Sequence, residues 1–166
     1  MKKSFKILAL GIVALLFAGA TSTATAGGKL KYNSASTSEV ESLARGADGV
    51  NVVRLYGRAE TEDAAIEDAK MKAVACALFC GFPSGANGAE AAPAIITDPN
   101  VEKTYKKFLE GFFAKNGDYL KYVKVSTTAG SKSSSKVSKT EYKVGIGLDV
   151  SYKALQDEMK KQGLVK

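Results

Sequence analysis

The sequence predicts an α+β domain, a small mixed or antiparallel sheet of about three strands with helices packed on one face. Two patterns carry this expectation. Between Thr140 and Tyr152, Tyr142, Val144, Ile146, Leu148, Val150 and Tyr152 point one way and Glu141, Lys143, Gly145, Gly147, Asp149 and Ser151 the other. That is the period of a strand in a sheet buried on one face. By contrast, Ile66, Ala69, Ala73, Cys76 and Cys80 recur at helical spacing, with Ala65, Val74 and Ala77 beside them. The element order reads strand, helix, long loop, helix, strand, strand, helix.

The chain begins with Lys2, Lys3 and Lys6, then an apolar run from Ile7 to Ala18, then small residues ending in Ala24-Thr25-Ala26. This is the order of a cleavable secretory signal peptide, expected over residues 1–26. Its apolar core, about a dozen residues, is shorter than the roughly 20 that span a bilayer. No later run is long and apolar enough to suggest a transmembrane segment after cleavage. The expected location is periplasmic or secreted.

Residues 27–49 are rich in Ser, Thr and Gly and predict a loosely structured arm, with a short strand near Leu30–Tyr32 and a turn of helix near Glu39–Ala44. Residues 50–166 then predict a single α+β domain. Val50 to Ala59 reads as a strand through Val52, Val53, Leu55 and Tyr56. Thr61 is placed to cap a helix with Glu62 and Asp63 in its first turn, where the helix dipole favours acids. The helix should run to Gly81. Residues 82–97 form a Gly/Ala/Pro loop long enough to be either a partner-binding segment or a passive insertion. Its glycines follow a helix and precede no Lys-Ser/Thr pair, so it is no phosphate loop.

Asp98-Pro99 should open the next helix, with Val101, Tyr105, Phe108, Leu109 and Phe112 on one face. Asn116-Gly117-Asp118 ends it. Tyr119–Thr127 and Thr140–Tyr152 predict a hairpin whose flexible tip lies at 129–136, and Ser151 is placed to cap a closing helix that carries Leu155 and Met159 and stops at Gly163.

Charge is uneven. Residues 27–100 hold seven basic and ten acidic side chains, a net of −3, and residues 101–166 hold fourteen lysines and seven acids, a net of +7. A lysine-rich half favours anionic lipid head groups, acidic polysaccharide or an acidic protein face, or is simply a solvated surface. An exported chain with no arginine in that half and no recognised motif argues against nucleic acid. Lys132, Lys136 and Lys139 are the candidate partner-binding residues, towards an envelope protein or an anionic envelope surface. Tyr105, Phe108, Phe112 and Phe113 are candidates to line an apolar ligand cavity, or to form core.

The chain has no histidine, which removes the common serine triad, imidazole bases and histidine-ligated metals. Glu60, Glu62, Asp63, Glu67 and Asp68 crowd one helix N-terminus, a placement that serves the dipole and solubility rather than a glycosidase. No enzyme, catalytic residue, cofactor or metal site is expected. Cys76 and Cys80 lie four apart on a helix, where Cβ atoms sit roughly 5–6 Å apart against the 3.8 Å or so of a disulfide. Two small buried hydrophobes are the default expectation. A bridge would require the helix to break near Cys80.

Val52-Val53-Arg54-Leu55-Tyr56-Gly57-Arg58-Ala59, followed by Ala64-Ala65-Ile66-Glu67-Asp68-Ala69-Lys70-Met71-Lys72-Ala73-Val74, resembles a strand ending in Gly-x-Ala before an alanine-rich helix. That pattern occurs in the N-terminal domain of the periplasmic flagellar ring protein of vibrios and in related small bacterial envelope lipoproteins. Gly147-Leu148-Asp149-Val150-Ser151-Tyr152-Lys153-Ala154-Leu155 through Gly163-Leu164-Val165 is similar to that domain's closing strand and helix. The likeness covers roughly residues 50–81 and 139–165. The 81–97 loop, the absence of a lipid-anchor cysteine and the lack of further domains depart from it. The resemblance implies a non-enzymatic assembly or scaffold role in the envelope, and supplies no site residues. The expected function is therefore an exported binding or assembly module of the bacterial cell envelope, or alternatively an exported small-molecule or lipid-binding domain with an aromatic-lined cavity.

Overall fold

Two long strands carry the fold. In the computed structural model, which describes residues 40–85 and 87–165, β2 (Val50–Ala59) and β5 (Glu141–Ser151) pair antiparallel without interruption from Val50–Ser151 to Ala59–Tyr142. The expected signal peptide and the strand near Leu30–Tyr32 lie outside the described residues. The register sets Leu148 opposite Val53, Ile146 opposite Leu55 and Val144 opposite Gly57, so the apolar side chains of both strands share one face. Each is buried, and fully burying such a side chain stabilises by about 1.5–3 kcal/mol.

The sheet has five strands, not about three, and every pair is antiparallel. β1 (Glu41–Arg45) lies along the other edge of β2, where the sequence suggested a turn of helix. On the far edge of β5, β3 (Val123–Val125) pairs near its C-terminal end and β4 (Ser133–Ser138) near its N-terminal end. The second half of the expected flexible tip, Ser133–Lys136, is thus strand, and the turn is at Lys139–Thr140. Tyr119 belongs to a 3-10 turn over Asp118–Tyr122 ahead of β3. β1 and β4 escape a periodicity reading because both are edge strands with little to bury, so their sequences carry no apolar alternation. The sheet curls as a half-barrel.

Against the buried face lies α1 (Glu62–Phe79). Thr61 caps it as expected, its Oγ1 accepting the Ala64 N–H at 3.2 Å. Ala65, Ala69, Ala73 and Cys76 are fully buried, whereas Ile66 is half-buried and Cys80 exposed. The first buried positions are alanine because at Gly57 the helix runs against the backbone of β2. The last two turns, Ala73–Leu78, are buried on every side. There the 82–97 loop closes over the helix end, with Ile95 and Ile96 N–H groups donating to the Ala77 and Leu78 carbonyls at 3.1 and 2.8 Å. Those carbonyls have no partner within the helix.

The same loop covers the outer edge of β1. Ser42 Oγ donates to the Pro83 carbonyl at 2.6 Å, Asn87 Nδ2 to the Leu43 carbonyl at 3.5 Å, and Arg45 pairs with Glu90 at 3.1 Å. Phe82 and Ala92 exchange backbone hydrogen bonds across its neck. Beyond it the single helix expected from Asp98-Pro99 is two short ones, α2 (Val101–Thr104) and α3 (Lys106–Phe112), broken at Tyr105. Asp98 Oδ1 accepts the Asn100 N–H at 2.8 Å and holds a turn before the helix rather than capping it. α4 (Tyr152–Lys161) buries Leu155 and Met159. Ser151 stands at its N-cap position without a side-chain capping bond, and Gly163, at φ +78°, ends it.

Candidate functional site on the β4–β5 hairpin

Opposite the core, β2 and β5 place a second set of side chains side by side: Arg54, Tyr56 and Arg58 across from Gly147, Gly145 and Lys143. The two glycines leave that face bare, and neighbours occupy the space. A Cβ on Gly145 would stand 2.6 Å from the Tyr56 ring, and one on Gly147 would stand 2.1 Å from Ala129 Cβ. The 127–131 segment therefore lies flat on the sheet at Gly147. Arg54 fixes it there, donating from Nη2 to the Ala129 carbonyl at 2.9 Å while Nη1 pairs with Glu41 at 3.1 Å.

Towards the hairpin turn the surface becomes basic and aromatic. Lys143 Nζ lies 4.3 Å from the Tyr56 ring centre, and on the other face Lys136 Nζ lies 5.3 Å from that of Tyr142. A lysine over an aromatic face gains about 0.5–1 kcal/mol at exposed sites. Lys132 pairs with Glu62 at 2.8 Å, and Ser134 Oγ donates to the same carboxylate at 2.7 Å. These bonds hold the Glu62 carboxyl below the usual carboxylate range and tie β4 to the start of α1. Arg58 reaches Glu141 at 3.6 Å. Lys139, in the turn, is exposed.

Residues 132–143 thus contain four lysines and one glutamate, a net of 4 − 1 = +3, and their neighbours Arg58 and Glu62 cancel. Val137 is 46 % exposed and Tyr56 39 %. The surface can bind an anion or an acidic group, and the tyrosines and valine add apolar contact. It brings Lys132, Lys136 and Lys139 onto one hairpin. Sequence reasoning missed Tyr56, Arg58 and Lys143, although Arg54-x-Tyr56-x-Arg58 alternates as a strand face does. Their juxtaposition depends on the β2–β5 register, which no local pattern encodes.

The aromatic candidates are placed elsewhere and pack on one another. Phe112 stacks on Phe108 with ring centres 5.7 Å apart and meets Phe113 edge-on at 5.1 Å, while Phe113 contacts Tyr119 at 5.8 Å. Phe112 and Phe113 are buried in the core, and Tyr105 donates to the Gly163 carbonyl at 2.8 Å. An open cleft of about 400 Å³ lies between the end of α1 and α2, lined by Phe79, Ile96, Val101, Asp98 and Glu102 among others. None of Tyr105, Phe108, Phe112 and Phe113 borders it.

Both cysteines are thiols. Cys76 donates to the Gly81 carbonyl at 3.0 Å, and burial, with Cys80 beside it, pushes its thiol up to about 12. Such a thiol is not a nucleophile at neutral pH. Among the described residues no group of three or more Cys, Asp or Glu side chains is placed to hold a metal ion, and no helix is long and apolar enough to cross a membrane. No protein-family model, curated protein or solved structure matches the chain.

Proposed function

We propose that this chain is an exported, non-enzymatic binding and assembly module of the bacterial cell envelope, periplasmic or secreted, that engages an envelope protein or an anionic envelope surface. The observation that carries the reading is the β4–β5 hairpin, where Lys136 lies over Tyr142 on one face, Lys143 over Tyr56 on the other, Lys139 stands exposed in the turn, and Lys132 pairs with Glu62 at its base. The export signal read at residues 1–26 supports the compartment. The resemblance of residues 50–81 and 139–165 to the vibrio ring-protein domain and its small lipoprotein relatives supports an assembly role.

All the helices contribute to the one apolar cluster on the Val53–Leu148 face, which supports an arrangement with the helices on one side and the Arg54–Tyr56 face turned outward. The reading is tested by fractionating cells that make the chain with Lys132→Gln, Lys136→Gln and Lys139→Gln. The triple variant should move from the envelope to the soluble fraction. Unchanged envelope association removes the electrostatic part of the reading.

A further inference from the structure

Three strands of this sheet are edge strands, and they are finished differently. β1 is covered along its outer side by the 82–90 segment through Ser42, Leu43 and Arg45. β3 is three residues long. β4 is six residues long, every one of them exposed, and among the described residues its only strand neighbour is β5.

The direction of its backbone groups follows from the register. The Gly147 carbonyl accepts the Ser126 N–H at 2.9 Å, so it points to the β3–β4 side of β5. Alternate residues of a regular strand point the same way, so Gly145 and Lys143 also face β4. Ser133 and Ser135, their partners, spend their backbone groups on β5. Ser134 and Lys136 turn theirs outward.

We propose that this outer edge of β4 docks an extended acidic peptide, which adds as a further antiparallel or parallel strand. The proposal rests on the reading of the hairpin as a binding surface and gives it a partner class. Main-chain hydrogen bonds to Ser134 and Lys136 supply the register, as in other cases of strand addition. Three successive serines offer no bulk to keep a second backbone away. Charge selects the partner: Lys136 and Lys139 match carboxylates spaced along an extended chain, and Lys132, roughly 13 Å from Lys136 along the strand, joins them by exchanging its Glu62 partner for a peptide carboxylate. They disfavour a second copy of this protein, since pairing two β4 edges would set lysine against lysine.

The test uses the exported protein and three labelled ten-residue probes: alternating aspartate and valine, the same peptide N-methylated at every second residue, and alternating lysine and valine. The Asp/Val peptide should bind and slow amide exchange at Ser134 and Lys136. N-methylation, which keeps the charge and removes backbone donors, should weaken binding roughly tenfold or more, and the lysine peptide should not bind. Equal binding of the N-methylated peptide, or no exchange change at Ser134 and Lys136, overturns strand addition. So does binding to vesicles containing phosphatidylglycerol without binding to the Asp/Val peptide. If the peptides fail while the triple glutamine variant still loses envelope association, strand addition falls and the hairpin surface stands. If that variant is also unaffected, both fall.

Discussion

Gly57 of β2 lies directly beneath Ala65 of α1: a Cβ on Gly57 would stand 1.7 Å from the Ala65 carbonyl oxygen and 2.7 Å from the Ala69 nitrogen. The strand and the helix meet backbone to backbone, which is why the first buried positions of α1 are alanine. Gly57→Ala should destabilise by roughly 3 kcal/mol or more, because the obstacle is main chain and cannot rotate away. Gly111 in α3 is the control. Nothing lies within 4 Å of its added Cβ, so Gly111→Ala should be neutral or stabilise by about 0.5–1 kcal/mol. Urea unfolding of both variants checks the pair.

Gly147 faces the other way, and its neighbour is the Ala129 methyl at 2.1 Å from an added Cβ. Gly147→Ala should lift the 127–131 segment from the sheet and break the Arg54–Ala129 bond, at a cost of about 1–3 kcal/mol. Faster amide exchange confined to residues 127–132 marks this local effect, and exchange spread through β5 contradicts it.

Alkaline pH should unfold the protein through two buried acids. Burial pushes the Tyr119 hydroxyl up to about 12, helped by the Glu67 carboxylate beside it, and the Cys76 thiol also reaches about 12. Both fold in their neutral forms. The unfolded side chains ionise from about pH 9 to 10, so their contribution is intact below that range and is lost as pH rises towards 12. The loss is on the order of a few kcal/mol. Cys76→Ala and Tyr119→Phe should each flatten the fall of unfolding free energy between pH 9 and 11.5. An unaltered slope in both variants contradicts the assignment.

At the acid end the relevant group is Glu62, whose carboxyl is held below its ordinary value by Lys132 and Ser134. A depressed carboxyl contributes above its unfolded value and ceases to as pH falls through the depressed one. The pair is exposed, so global stability should hardly change. Glu62→Gln should instead speed amide exchange in β4 at neutral pH relative to the wild-type protein, and unchanged exchange there contradicts the tie.

Much of this architecture was readable residue by residue. The alternation of Tyr142 to Val150 fixes β5 and its buried face, Thr61 with its two following acids fixes the start of α1, and Gly163 its last helix end. What escaped has physical causes. β4 is serine and lysine with one exposed valine, because an exposed edge buries nothing. The break at Tyr105 carries no helix-breaking residue in the sequence, and the contact of its hydroxyl with the Gly163 carbonyl is a tertiary one. Cys80 shares a helical face with Cys76 by spacing, yet the chain leaves the helix there and turns it to solvent. Of the candidate binding surface, the lysines were visible as local charge. Tyr56 and Arg58 join them only through strand pairing.

The most direct test of the central claim is capture of the protein, residues 27–166, on solubilised envelope, washed at low and high salt, beside the Lys132→Gln, Lys136→Gln, Lys139→Gln variant. The account predicts that the wild-type protein retains a defined envelope species and that the variant retains at least several-fold less. The difference should shrink as salt screens the hairpin. Equal retention by the two proteins at low salt, or no retention by either, would contradict it.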